Sequence, residues 1–468
     1  MSATTALSSI LDQTPAYVPE LDPGFRPAIL AVRAYRKAVA DADNTELVQI
    51  AVERNSGLVT RRDIEVLPSG ADDEASYTVV ERTLKFLLWA RGGYKVYVSG
   101  PQWLTDRLVA DYSPDGARAF DVDMMRRAYG AAFEISAVAA DAVPAAKESG
   151  LKLGGNLEGC RIGFDLGASD YKLSAVVDGE PVFTTEIRWD PVGQNDPDYH
   201  VSRIKEGLEL AASKMERVDA IGGSSAGIYV ENQVMSASLF RSIAPDQFES
   251  IVKPMFLHIR DEWGVPLEII NDGDVTAIAG AMSLGRNGIL GIAMGSSEAV
   301  GYVDRNGHVT GWLNELAFCP VDVNPDAEPD EWSGDIGVGA MYFSQQAVNK
   351  LAPAAGFSFP EEMLLPERLK VVQAKMAEGD EGARKIYESI GIYLGYAIAW
   401  YAEFYDYGDL LILGRVTSGE GGIIILETAK KVLASEFPEH SDIGVSMPDE
   451  KMRRHGQAVA AASLPATA

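Results

Sequence analysis

The 468-residue chain, 47% hydrophobic and 23% charged, has the balance of a globular protein with two or three full-sized cores, which excludes a disordered or fibrous chain. Its 68 acidic against 41 basic residues leave a net charge of −27, which repels phosphate backbones and anionic bilayers and argues against nucleic-acid or membrane partners. Only two cysteines occur, Cys160 and Cys319, too far apart in sequence for a disulfide framework or paired-cysteine knuckle; with a polar N-terminus and no run of ~20 apolar residues, a reducing cytoplasm is the expected compartment. Residues 1–25 read as an extended arm. Residues 26–155 read as an N-terminal α/β region of unassigned role: strands at 47–53 and 58–67 around the turn Asn55-Ser56-Gly57, a helix at 77–91, a strand at 94–99, and helices at 101–111 and 121–130. A β-meander follows at 161–165, 171–177 and 182–188, then a helix at 201–216 and a strand at 218–222 that enters a glycine-rich turn ending at Gly227. A third block holds strands at 267–270, 289–294, 299–303 and 410–413 and helices at 275–285, 364–377, 380–404, 420–436 and 449–463. The order of elements in 46–99 echoes that in 161–223, either as a degenerate duplicate or as two unrelated α/β pieces, and the second is the plainer reading.

Five segments carry chemistry. In Asp165-Leu166-Gly167-Ala168-Ser169, a strand ends in a carboxylate suited to Mg²⁺ and turns through backbone N–H groups and a hydroxyl suited to phosphate; an ordinary hairpin with Asp165 capping it is the alternative. Gly295-Ser296-Ser297 repeats that pattern between two strands. Leu413-Gly414 through Gly422 is a strand, a glycine-rich turn and a helix start, open enough for an adenosine to lie on the backbone. In Asn271-Asp272, a carboxylate at a strand end can accept a hydroxyl proton while the amide orients that hydroxyl, a role compatible with capping the next helix. Glu315, in Asn314-Glu315-Leu316-Ala317-Phe318, adds an acceptor beside apolar residues, as polyol recognition requires.

In this order the segments resemble the actin/hexokinase/Hsp70 ATPase superfamily and, within it, the ROK sugar kinases and their repressor relatives, over residues 160–465. The resemblance implies two actin-like, RNase H-like α/β lobes around a cleft. The first spans 156–265 and the second 266–468, with the C-terminal helix packing back on the first. It implies ATP and Mg²⁺ as cofactors and phosphoryl transfer to a hexose-like primary hydroxyl, with Asp272 as general base. Asn271, Glu315, Gly227 and Asn314 would hold the sugar. ATP would lie on Asp165, Gly167, Ala168, Ser169, Lys172, Gly295, Ser296, Ser297, Gly414, Arg415 and Gly419, with Asp165 holding Mg²⁺ through water. A homodimer is implied by the resemblance alone.

The departures are specific. Phe318 stands where typical members have a histidine shared by sugar and structural zinc, and the cysteine-rich zinc motif is replaced by Asp330-Glu331-Trp332-Ser333-Gly334-Asp335, so no zinc is expected. Gly167-Ala168-Ser169 replaces Gly-Gly-Thr, and Arg415 replaces a glycine, either crowding the adenine or stacking on it. A non-catalytic sugar- or nucleotide-binding regulator and a kinase of a non-hexose polyol are the rival readings. Residues 26–150 lack a basic recognition helix, which disfavours a DNA-binding version.

Overall fold

The computed structural model describes residues 7–148, 153–448 and 450–467; the first six residues of the arm and residue 449 of the expected last helix lie outside them. The arm is held down: Leu11 and Phe25 are buried, and Asp22 accepts from Lys350 at 3.0 Å and from the Tyr393 hydroxyl at 2.6 Å. The N-terminal region runs α1 (Ala28–Ala40), β1 (Glu46–Arg54), β2 (Leu58–Val66), α2 (Asp73–Arg91), β3 (Lys95–Ser99), α3 (Gln102–Asp111), α4 (Ala119–Tyr129) and β4 (Glu134–Ala137). Helix α1 is not among the sequence expectations, although Ile29, Val32 and Val39 recur at helical spacing on its buried face. The sheet order is β2-β1-β3-β4, with β1 antiparallel to both neighbours. Ser56 and Gly57 take positive φ, 61° and 64°, to close the β1–β2 hairpin.

Helix α2 starts at Asp72, whose carboxylate accepts from the Ala75 N–H, and stops at Gly92. It is buried nearly all round because a sheet covers one side and the rest of the molecule the other. Phe86 stacks on Phe404 at 3.7 Å and Trp89 packs on Phe318 at 4.3 Å. The N-terminal region therefore shares one continuous core with the second lobe.

The first lobe contains β5 (Cys160–Leu166), β6 (Asp170–Val177), β7 (Glu180–Arg188), α5 (Pro197–Ala212), β8 (Ala220–Ser225), β9 (Ile228–Val230), β10 (Gln233–Ser236), the single turn α6 (Pro245–Gln247), α7 (Met255–Trp263) and β11 (Leu267–Asn271). Its sheet is ordered β11-β8-β5-β6-β7, with β5, β8 and β11 parallel. Two expectations are corrected here. Gly222 to Ser225 continue β8 instead of turning, and β11, beyond the 265/266 division expected from sequence, pairs with β8 in the first lobe. The parallel β5–β8 pair also differs from the antiparallel β1–β3 pair, so the echo between 46–99 and 161–223 is not a shared topology.

Helix α8 (Asp272–Leu284) leads from β11 to the second lobe: β12 (Ile289–Met294), β13 (Glu298–Val303), α9 (Gln345–Leu351), α10 (Leu365–Ala377), α11 (Glu381–Tyr401), β14 (Asp409–Leu413), α12 (Glu420–Glu436), β15 (Gly444–Ser446) and α13 (Glu450–Ala462). Its sheet is ordered β13-β12-β14-β15, with β12, β14 and β15 parallel. Among the described residues no helix is long and apolar enough to cross a membrane.

Helix α13 returns to the first lobe and lies on β5 and β8 beside α8. Gly163 and Gly222 are register partners on those strands, and a Cβ on either would run into the backbone of Ala458, Ala461 or Ala462. A glycine pair against an alanine run lets helix and sheet meet at backbone distance. Gly222→Val is therefore expected to cost about 1–3 kcal/mol or more by forcing α13 off the sheet. Urea denaturation measures this, and an unchanged midpoint would refute the docking argument.

Candidate active site

The site is assembled at the C-terminal ends of parallel strands, where open α/β sheets place their ligands. In the first lobe Leu166 is level with Ser225, and Ser225 with Asn271, so the Gly167–Ser169 loop, Gly227 and Asp272 leave the same sheet end. Asp165, at the end of β5, accepts from the buried Ser224 hydroxyl at 2.8 Å and from Lys172 at 3.3 Å. Ala168 and Ser169 are exposed, and the Ser169 hydroxyl donates to Asp170. The Trp189 indole N–H donates to the Gly167 carbonyl at 2.8 Å and the Ser169 carbonyl accepts the Trp189 amide. Sequence reading gave Ser224 no place in the site and took Trp189 as a core or sugar-face aromatic, because their partners lie 59 and 22 residues away along the chain.

Asn271 caps α8: its carbonyl oxygen accepts the Gly273 amide at 2.7 Å, and its amide donates to the Gly227 carbonyl at 2.8 Å. One side chain thus fixes the helix start and the β8–β9 turn together. The half-buried Asp272 follows, its carboxyl pushed up to about 6 by burial and by the neighbouring Asp165 charge. Gly273 and Gly301 seat this helix start on β13, since a Cβ on Gly301 would strike the Gly273 carbonyl.

The second lobe repeats the arrangement. Ala293 and Leu413 are register partners on parallel β12 and β14, so the loops Gly295–Ser297 and Gly414–Gly419 emerge side by side. Ser296 and Ser297 are exposed, and the Gly295 carbonyl accepts the Gln345 amide at 2.9 Å. Gly414, at φ 100°, passes so close to the Met294 carbonyl that a Cβ would not fit, and Val416 N–H donates to that same carbonyl at 3.1 Å. Arg415 is exposed, its carbonyl held by Gln373 at 2.8 Å, and Gly419 forms the N-cap of α12.

Glu315 stands close enough to Asp272 and Asp274 to feel both charges, and burial with those charges pushes its carboxyl up to about 7. The 313–315 loop is held by the N-terminal region: the amides of Leu313, Asn314 and Glu315 donate to the Arg91, Ala90 and Trp89 carbonyls at the end of α2. Asn314 is placed differently from the sequence expectation. Its side chain is buried and committed internally, donating to Asp274 at 2.9 Å and accepting from Tyr405 at 3.0 Å. It organises the site from behind, whereas Asn271 is only half-buried.

The place of the absent histidine and zinc motif is filled by aromatic packing and ion pairs. Phe318 packs between Trp89, Phe120 and Trp332, and Cys319 is buried with its thiol toward the Phe86 carbonyl, so neither presents a ligand to a metal. Among the described residues no group of three His, Cys, Asp or Glu side chains is arranged to hold a metal ion. Asp330 caps its own turn through Ser333, and Asp335 is buried against Arg82, Lys85 and Arg118. Both carboxylates are taken up by these internal partners.

No family model and no curated protein matches the chain. Solved structures do. A ROK hexokinase from Thermus thermophilus superimposes with a TM-score of 0.52 at 16% identity, over 65% of this chain and 98% of that one. A ROK family transcriptional regulator, a homologue of the E. coli Mlc protein, gives 0.51 at 20% identity, over 65% of this chain and 78% of its own. The fold is that of the ROK proteins: two actin-like α/β lobes, to which this chain adds an N-terminal α/β region.

Proposed function

We propose that the protein is an ATP-dependent carbohydrate kinase of the ROK family. The observation that carries this reading is Asp272: a carboxyl raised to about 6, set beside a clamped Asn271 at the end where three parallel strands also deliver the Asp165 loop and Gly227. A base near neutrality, ionised at pH 7, is suited to taking the proton from an acceptor hydroxyl as phosphoryl transfer proceeds. Asn271 and Glu315 orient the acceptor hydroxyls, and Gly227 leaves room for the ring. Mg-ATP, when bound, supplies the phosphoryl group and neutralises its charge. The fit to that group rests on Asp165, a carboxylate near the end of β5 suited to a Mg²⁺ that keeps its waters and phosphate ligands, together with exposed Ser169, Ser296 and Ser297 and the exposed backbone at Gly414 and Gly419. Lys172, Gly167 and Ala168 complete the first phosphate loop, Gly295 the second, and Arg415 flanks the adenosine.

Coupled ADP release with Mg-ATP across hexoses, amino sugars, deoxy sugars and polyols tests the proposal. Stimulation by an acceptor is expected, with kcat/KM falling as pH drops through about 6, where Asp272 takes up a proton and ceases to act as base. Sugar or nucleotide binding without turnover would favour a regulator, the occupation of the second structural neighbour.

A further inference from the structure

Glu298 is an acid placed where the fold gives it no cation. It opens β13 directly after Ser296 and Ser297, opposite Met294, and is 3% exposed. Its Oε1 accepts from the Tyr401 hydroxyl at 3.4 Å, while its fully enclosed Oε2 has no hydrogen-bond partner. The groups that face it are Tyr401 from α11 and Glu315 and Cys319 from the loop beyond β13. Lys85, whose charge reaches Cys319, is committed to Asp121 and Asp335. On the remaining side the Gly339 backbone closes over the carboxyl so tightly that a Cβ there would strike Oε2.

These contacts decide the charge state. An ionised carboxylate with one unmatched oxygen, a second carboxyl nearby and no water is far costlier to bury than the neutral acid. Burial, with the Glu315 charge adding to it, pushes the Glu298 carboxyl up to about 8, so it keeps its proton at pH 7.

Its position gives the neutral form a task. The second phosphate loop is a tight turn, the Gly295 amide donating to the Ser297 carbonyl at 2.9 Å, and the Gln345 amide anchors it at Gly295. Glu298 anchors the other end. Its carboxyl wedges against the Gly339–Met341 turn that leads to Gln345, and the Gly339 amide donates to the Cys319 carbonyl at 3.0 Å. One side chain thus joins the phosphate loop to the loop that carries Glu315. A charge on it would repel Glu315 and draw the carboxyl toward water, parting the two loops.

We propose that Glu298 is a positioning residue that acts in its un-ionised form, holding the second phosphate loop against the loop of Glu315, and that loss of its proton ends phosphoryl transfer on the alkaline side. The part in phosphoryl transfer rests on the kinase reading, whereas the un-ionised wedge rests on the packing around Glu298.

Glu298→Gln keeps the shape and the neutrality but has no proton to lose, and comparison with wild type is the test. In infrared spectra at pH 7 the carbonyl band of un-ionised carboxylic acid is expected to be weaker in the variant, and the wild-type excess should fade by pH 9. Because the folded carboxyl is raised from 4.5 to about 8, the stability linked to its proton is fully present below 4.5 and is lost as pH rises through about 8. The urea midpoint of Glu298→Gln should therefore rise relative to wild type between pH 5 and pH 9. With Mg-ATP and an acceptor, wild-type kcat at pH 9 should be about tenfold below its plateau, since roughly one molecule in ten keeps a proton one unit above its pKa, and the variant should show no such fall.

Equal infrared bands, or a midpoint difference that stays constant between pH 5 and pH 9, would overturn the un-ionised wedge. ADP release with the same alkaline fall in both proteins would overturn the positioning role and leave the kinase reading intact. No ADP release, with binding of a non-hydrolysable ATP analogue that weakens about tenfold at pH 9 in wild type alone, would keep the positioning role and sink the kinase reading. Neither release nor pH-sensitive binding would overturn both.

Discussion

Asp272→Ala is expected to lower kcat by at least ~10²-fold, the scale of losing a general base, while the chain keeps its fold. The second half of that expectation has a sign. Burial raises the Asp272 carboxyl from an ordinary 3.8 to about 6, so the folded state holds its proton more tightly than the unfolded chain does. The stability linked to that proton is fully present below 3.8 and is lost as pH rises through about 6. At pH 8 the ionised side chain therefore destabilises the fold, and Asp272→Asn should melt at a higher temperature than wild type there, with the difference vanishing in acid. A residue that catalyses at the expense of stability behaves this way. A merely structural cap would show the opposite pattern, with turnover retained and Tm lowered. Coupled ADP release and thermal melts at pH 5 and pH 8 separate the two, and normal turnover by Asp272→Ala would end the assignment.

What could be read from the sequence follows from what is local. Asp165, Asn271–Asp272, Gly295–Ser297 and Gly414–Gly419 each sit where a strand stops, and strand ends betray themselves through a switch from apolar alternation to glycine and small polar residues. The boundaries of β5, β6, β12 and β14 were legible for the same reason. The glycines of β8 misled, because Gly222 and Gly223 look like a turn when read along the chain. They are small in order to admit α13 and the Phe164 ring, which arrive from elsewhere in the sequence. The N-terminal region gave the least away. Its hairpin and α2 were visible as elements, but nothing in their periodicity says that Trp89 reaches Phe318 or that the α2 carbonyls hold Glu315. Asn314 shows the converse: an amide beside an acidic residue looks like a sugar contact until Asp274 and Tyr405 are found to use it up.

Asp335 supports the second large effect. It lies among three cations, Arg82 Nη1 at 3.0 Å, Lys85 Nζ at 2.9 Å and Arg118 Nη1 at 2.8 Å, while Glu81 and Asp121 supply the other two carboxylates. Lys85 is fully buried and Asp335 nearly so, and the surrounding cations hold the Asp335 carboxyl below its ordinary value against the opposing effect of burial. Removing it leaves three cations against two carboxylates in a site with little water. Asp335→Ala should therefore cost about 3 kcal/mol, at the lower end of the ~3–5 kcal/mol for breaking a buried pair because Arg118 retains some solvent contact. Asp335→Asn, which keeps hydrogen bonding to the same groups, should cost less. Because the folded carboxyl titrates below 3.8, its stabilisation is present above that pH and is lost as pH falls toward the folded value, so the gap between wild type and Asp335→Ala should close in acid. Denaturant unfolding followed by tryptophan fluorescence reads this directly, since Trp89 and Trp332 both pack on Phe318 beside the network. A gap independent of pH would mean that Asp335 contributes packing alone. A gap that closes in acid would show that ion pairs fasten the N-terminal region to the loop beyond Glu315.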